Sequence, residues 1–170
     1  NSYVDELIED KQKSAKLDAG KSLAGQVNQE IEFEKNFKEE VIIPALLNQI
    51  KNYVFINTKK KISKHTFENI WVVRQFENEY NPTHYHSGHI SGVGYLKVPK
   101  KMSQNKKVNN KSINTNGSID FINGQKNFLS ASIYNLAPKV ADLMIFPNYL
   151  MHTVYPFNID GERRSFSFNA

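Results

Sequence analysis

From Thr66 to the C-terminus the chain is a succession of short runs rich in Val, Ile, Phe, Tyr and Trp, punctuated by Asn, Gly and Pro. The runs are FENIWVVRQF, ISGVGYLKV, GSIDFI, SASIYNL, DLMIFP, HTVYPF and RRSFSFN. Each is of strand length, and no helical pattern separates one from the next. Successive short strands without crossover helices predict a sandwich or barrel. No internal repeat is visible. The N-terminal part reads differently. Residues 4–18 are charged, with sparse apolar positions at Val4, Leu7, Ile8 and Leu17, and predict a short amphipathic helix that stops near Gly20. Phe33, Phe37, Val41, Leu46, Leu47 and Ile50 recur at helical spacing and predict a second helix from Ile31 to Val54. Pro44 should kink or divide it. The predicted fold is mainly β with N-terminal helices. One domain, 1–170, places a helical layer over 1–55 on an antiparallel β-roll over 66–170.

A chain of 170 residues buries roughly 70% of the surface that its unfolded form exposes, so it holds a core unaided. It has no cysteine, which excludes disulfides and thiolate metal sites and fits a reducing, cytoplasmic setting. No run approaches the roughly 18 apolar residues of a membrane span, and no signal-peptide pattern is visible. The chain opens on Asn1 rather than Met, so residues upstream are expected. Most of the net charge of +5 lies in KVPKKMSQNKKVNNK, from Lys97 to Lys111. A basic loop can meet nucleic acid or an acidic partner. The plainer reading, adopted here, is a solvated loop in a chain rich in Lys and Asn.

The stretch NPTHYHSGHI, from Asn81 to Ile90, gathers three of the five histidines. His84 and His86 are two residues apart, so on an extended segment they face the same way. Two imidazoles can then converge on one ion. A third ligand must come from elsewhere, and His152 in IFPNYLMHTVYPF is the candidate. Such a three-nitrogen face suits iron, zinc, copper and nickel alike. His65, in KKKISKHTF, reads as solvated. His89 follows Ser87-Gly88, where the chain should turn, and could stand behind the ligands or at the substrate. Further on, GERRSFSFN puts Arg163 and Ser165 on one strand face, where they could clamp a carboxylate. Arg164 then points the other way, to solvent.

Three pieces in this order, NPTHYHSGHISGVGYLKVP, ADLMIFPNYLMHTVYPF and GERRSFSFN, resemble the iron- and 2-oxoglutarate-dependent oxygenases. The likeness is to a small branch common in marine bacteria and their phages, and it covers roughly residues 68–170. It implies a double-stranded β-helix, a jelly-roll and cupin-like core. It implies Fe(II) as metal and 2-oxoglutarate as co-substrate, in an oxidoreductase. His84 matches the family's first ligand and His152 its distal one. Arg163 and Ser165 match the clamp on the far carboxylate of 2-oxoglutarate. Tyr95 is expected beside that clamp, and Asn81 and Tyr85 in the pocket.

One position departs from the family pattern. Where the family has Asp or Glu, this chain has His86. Either His86 takes the place of the carboxylate, or the iron has two protein ligands and His86 does something else. An Asp would cancel one of the two charges of Fe(II), and a neutral imidazole cancels none. The site would be more electropositive and would favour an anionic co-substrate.

The implied activity is a dioxygenase of hydroxylase type, acting on a small molecule or a peptide. Val93, Leu96, Leu143, Ile145, Phe146 and Phe168 are expected to build the core rather than touch substrate. Two other readings stay open. One is a cupin-like three-histidine metalloprotein that does not use 2-oxoglutarate and has no need of Arg163-x-Ser165. The other is a non-catalytic binding module acting through the basic loop.

Overall fold

The computed structural model describes residues 1–102 and 115–170. Most of the basic 97–111 stretch lies outside the described residues. The chain opens with α1 (Ser2–Glu9) and α2 (Lys11–Lys16), then β1 (Gln29–Glu32), a short α3 (Lys35–Phe37), a π-helical turn (Lys38–Ile42) and α4 (Ile43–Thr58). Strands follow: β2 (Asn69–Gln75), β3 (Asn81–His84), β4 (Ile90–Lys97), β5 (Ile119–Ile122), β6 (Ile133–Leu136), β7 (Leu143–Pro147), β8 (Met151–Val154) and β9 (Arg163–Asn169).

The strands form two sheets, ordered β1-β2-β9-β4-β7 and β3-β8-β5-β6. Side chains from both meet in one cluster: Val93, Tyr95 and Phe146 from the first, Ile119, Phe121 and Val154 from the second. The sheets therefore lie face to face, as a jelly roll. The other face of the larger sheet carries Ile70, Val72 and Phe168, and Val4, Leu46 and Ile50 of the helices cover it. Strand alternation explains the division. On β9, Arg163, Ser165, Ser167 and Asn169 face the interior between the sheets, while Phe168 joins the helical side. Burying a side chain such as Phe168 contributes about 1.5–3 kcal/mol.

The N-terminal part departs from the periodicity in two places. Residues 4–18 make two helices. The chain breaks at Asp10, which is extended and accepts a hydrogen bond from the Lys13 amide at 2.9 Å, capping α2. The predicted second helix does not begin at Ile31. Residues 29–32 pair antiparallel with β2, Ile31 opposite Val72, and become the edge of the larger sheet. Ile31 and Phe33, two apart, fit a strand, while Phe33 and Phe37, four apart, fit a helix, and pairing with the edge of β2 decides between them. Pro44 does divide the helical stretch: it sits in the first turn of α4, directly after the π-helical turn. Leu143, expected in the core, is 36% exposed at the start of edge strand β7.

Arg164 is also corrected. It points away from Arg163, as strand parity requires, but it meets protein instead of water. α1 covers that face. The guanidinium is buried and bonds Glu162 at 2.9 and 3.0 Å and Asp5 at 2.8 Å. Glu162 also receives Arg74 at 2.7 Å and Lys97 at 3.1 Å. Burial pushes its carboxyl pKa up, but hydrogen bonds from Arg164, Arg74 and Lys97 outweigh burial and hold it at about 2. The unfolded chain therefore binds more protons than the folded one between about 4.5 and 2. The stabilisation is complete above that window and is lost as pH falls through it. Thermal unfolding of Glu162→Gln should show a lower midpoint at neutral pH and a flatter decline below pH 4.5 than the parent. Parallel declines would show that the cluster does not govern acid stability.

Among the described residues no helix is long and apolar enough to cross a membrane.

Candidate metal and co-substrate site

A cavity of about 310 Å³ opens between the sheets. His84, His86 and His152 line one side of it, and Arg163 and Ser165 line the larger sheet. The smaller sheet brings the histidines together. β3 pairs antiparallel with β8 so that His84 stands directly opposite His152. β3 is polar and contains Pro82, which suits the edge strand it forms. His86 lies just beyond β3. Its amide donates to the Asn148 carbonyl at 3.1 Å, and the Asn148 side-chain amide donates back to the His86 carbonyl at 3.1 Å. The chain then turns at Gly88, whose φ of +82° is a left-handed conformation that favours glycine.

One ligand atom from each of the three rings lies within 4.8 Å of the others. Two backbone contacts set which nitrogens face inward. His84 Nδ1–H donates to the Pro82 carbonyl at 2.7 Å, and His152 Nδ1–H donates to the Leu150 carbonyl at 2.9 Å. A carbonyl only accepts, so each Nδ1 holds the proton and each Nε2 keeps its lone pair. His86 Nε2 and His152 Nε2 are 3.1 Å apart. Burial lowers all three pKa values. His86 falls to about 3, helped by His152 and His84. His152 falls to about 4, against the pull of the Leu150 carbonyl. His84 is lowered too, with the Pro82 carbonyl opposing. At neutral pH the rings are uncharged, the form that ligates a metal.

Arg163 is buried on the same cavity. Its Nη1–H donates to Gln75 Oε1 at 2.6 Å and its Nη2–H to the Tyr95 hydroxyl at 3.1 Å. The guanidinium carbon lies 4.8 Å from the centre of the Tyr95 ring. Arg163 Nε has no partner among the described residues, and no carboxylate there pairs with this cation. Arg164, its neighbour, takes the acids instead. A buried arginine held in place but left without a counter-ion is prepared for an anion. The donor set fits the pair of groups in question: neutral imidazoles for a divalent metal, and an unpaired guanidinium with the Ser165 hydroxyl nearby for a carboxylate.

The other expected residues divide. Tyr95 is buried against Arg163. Asn81 lines the cavity, and Tyr85 stands at its mouth, 69% exposed. His89 is exposed and does not line the cavity; its amide bonds the Ala170 carbonyl. His65 is exposed, packed edge-on to Phe67. Val93 and Phe146, expected only in the core, do both: they pack between the sheets and line the cavity. Phe146 stands edge-on to His152 at 5.0 Å between ring centres. Several lining residues escaped the sequence reading. Ser167 and Asn169 continue the alternation of Arg163 and Ser165 and could have been read from it. Trp71 and Glu30 on the cavity, and Gln75 and Asn148 behind Arg163 and His86, had no signal, because only the folding of distant segments together brings them here.

A jelly roll that sets three convergent, neutral imidazoles beside an unpaired arginine belongs to the class built to hold a divalent metal and an anionic co-substrate. Residues 69–169 match the family described as "Putative 2OG-Fe(II) oxygenase", and the chain belongs to that family. That family is one of 2-oxoglutarate-dependent oxygenases, oxidoreductases whose cofactors are Fe(II) and 2-oxoglutarate, and the donor set of this site fits both. Solved structures share the fold. A Pseudomonas putida prolyl-4-hydroxylase is 13% identical, with a TM-score of 0.61 over 98% of this chain and 83% of that one. The viral collagen prolyl hydroxylase of Paramecium Bursaria Chlorella virus-1, solved as its 2OG complex, is 16% identical, with a TM-score of 0.55 over 98% and 87%. A 2OG-Fe(II) oxygenase-family oxidoreductase from Burkholderia pseudomallei is 13% identical, with a TM-score of 0.51 over 76% of this chain. The present chain spans 54% of the length of that protein. No curated protein matches.

Proposed function

We propose that this protein is a hydroxylase of a small molecule or a peptide, working as one domain over 1–170 in a cytoplasmic setting. The observation that carries the reading is the shared cavity: three histidine nitrogens converge on it, and a buried arginine without a counter-ion lines it. In this reading His84, His86 and His152 hold Fe(II). Arg163, with Ser165 and Tyr95 beside it, holds the far carboxylate of 2-oxoglutarate. When bound, Fe(II) supplies the chemistry in which dioxygen and 2-oxoglutarate become succinate and carbon dioxide while a substrate C–H becomes C–OH.

The chain's own part is placement. The Pro82 and Leu150 carbonyls fix two imidazoles in the ligating tautomer. Gln75 and Tyr95 hold the guanidinium still, so little ordering remains when the co-substrate arrives. Trp71, Val93 and Phe146 give the cavity an apolar wall that keeps water from the reacting groups. Anaerobic addition of Fe(II) and 2-oxoglutarate, then oxygen, should give succinate in proportion to the iron bound. Iron binding with no turnover of 2-oxoglutarate would favour the cupin-like reading, which His86 in place of a carboxylate supports and Arg163 opposes. Absence of both would leave the non-catalytic binding module.

His86 has its own test. His86→Asp should keep the metal and lower the charge of the site. His86→Ala should weaken metal binding by roughly 10-fold or more, since even partners behind the ligands are worth 10–100-fold. Unchanged metal affinity in His86→Ala would mean that the ion rests on His84 and His152 alone.

A further inference from the structure

One titratable group on the cavity has no part in holding metal or co-substrate. Glu30, on β1, is 3% exposed and lines the cavity. Its carboxylate receives no hydrogen bond and no ion pair among the described residues. The Trp71 indole N–H lies near enough to lower its pKa but does not reach hydrogen-bond geometry, and that N–H is itself buried without a partner. Burial, with Asp18 adding to it, outweighs Trp71 and pushes Glu30 up to about 7. Carboxyl groups this buried are as a rule paired, because an isolated buried charge is costly.

Its surroundings offer a place for what is missing. A Cβ added to Gly25 would sit 2.9 Å from Glu30 Oε1 and 3.1 Å from Asn81 Oδ1. The two oxygen acceptors thus lie close together against Gly25, on the cavity wall. Glu32 lines the same wall, already paired with Lys38 at 3.1 Å. The only cation among the described cavity-lining residues is Arg163, which Gln75 and Tyr95 already hold.

We propose that Glu30, with Asn81, binds a protonated nitrogen of the primary substrate, an ammonium or guanidinium group, and so selects substrates that carry one. This rests on the oxygenase reading of the same cavity. A positive group entering there would meet two acceptors and supply the counter-ion that Glu30 lacks. A neutral or anionic group would leave the carboxyl unpaired or repel it.

The test is calorimetric binding to the full chain, anaerobic, loaded with Mn(II) and 2-oxoglutarate. The probes are Nα-acetyl-L-arginine amide and Nα-acetyl-L-lysine amide, and the same side chains inside blocked tripeptides to separate small-molecule from peptide-borne groups. The uncharged counterparts are Nα-acetyl-L-citrulline amide and Nα,Nε-diacetyl-L-lysine amide. At least one cationic probe should bind about tenfold or more tighter than its neutral counterpart, the scale of a buried charge pair. Glu30→Gln should lose that preference, with its Mn(II) and 2-oxoglutarate affinities serving as the folding control. Gly25→Ala, which leaves Glu30 in place, should also weaken the cationic probe by crowding both oxygens. No charge preference in the parent, or a preference that survives in Glu30→Gln, overturns the proposal and leaves the oxygenase reading standing. Failure of the parent to bind Mn(II) and 2-oxoglutarate overturns both.

Discussion

His152→Ala should lose its metal and keep its fold. That is the largest effect expected of any single substitution here. His152 is paired in register with His84, its Nε2 lies 3.1 Å from that of His86, and its Nδ1–H is committed to Leu150. No other described residue offers a ligand atom at that place. Substitutions behind a ligand already cost 10–100-fold in metal affinity, so loss of the ligand should cost more than roughly 100-fold. The ring is buried between Phe146 and Phe121, so its removal also leaves a small hole. Far-ultraviolet circular dichroism should match the parent while iron stoichiometry after anaerobic reconstitution drops to near zero. Metal bound as tightly as in the parent would refute the assignment of His152.

Arg163→Ala should raise the dissociation constant of 2-oxoglutarate strongly. Removing one side of a buried, charge-assisted pair costs about 2–5 kcal/mol, roughly 30- to 4,000-fold in affinity. The loss also strands Gln75 and the Tyr95 hydroxyl, so Arg163→Lys is the better control. It keeps the charge but not the two-pronged geometry, and should recover only part of the affinity. Arg164→Ala makes the contrast. Glu162 keeps Arg74 and Lys97, so losing Arg164 should cost less than the roughly 3–5 kcal/mol of a stranded buried charge and leave co-substrate affinity nearly unchanged. Titration of 2-oxoglutarate into the Mn(II)-loaded proteins decides the matter. Equal losses in the Arg163 and Arg164 variants would mean that the anion does not meet β9 through Arg163.

The core strands could be read from the sequence because their composition and punctuation are local. β2, β4 and β7 are runs rich in apolar and aromatic residues and β9 alternates Ser with Phe, and one-dimensional pattern reveals them. β1 and β3 could not be read. β3 is Asn-Pro-Thr-His, polar throughout, and it is a strand only because β8 pairs with it. Phe33 fits a strand with Ile31 and a helix with Phe37 until the edge of β2 is known. The same limit applies to the site. Parity alone put Arg163 and Ser165 on one face and Arg164 on the other. It could not reveal that α1 covers the far side, nor that Gln75 stands opposite Arg163 in the β2–β9 ladder. The three histidines could be listed from the sequence, but their convergence depends on the β3–β8 pairing. Glu30 was hidden twice, first by the helix expected to begin beside it and then by its distance along the chain from the histidines and Arg163.

The β3–β8 pairing carries one more consequence. His86 and His152 stand 66 residues apart in a chain with no cysteine. An ion held between them is a removable cross-link, closing a long loop as a disulfide would. β3 is a four-residue strand at the open edge of its sheet, held by its pairing with β8 and by the Thr153 hydroxyl, which donates to the Asn81 carbonyl at 3.0 Å. An ion bound there would add to that hold, so metal occupancy and the stability of this edge would be linked. Free metal at a hundred times its dissociation constant adds about 2.7 kcal/mol to the folded state. On the proposed function, the supply of iron would then bear on the lifetime of the folded chain as well as on its turnover.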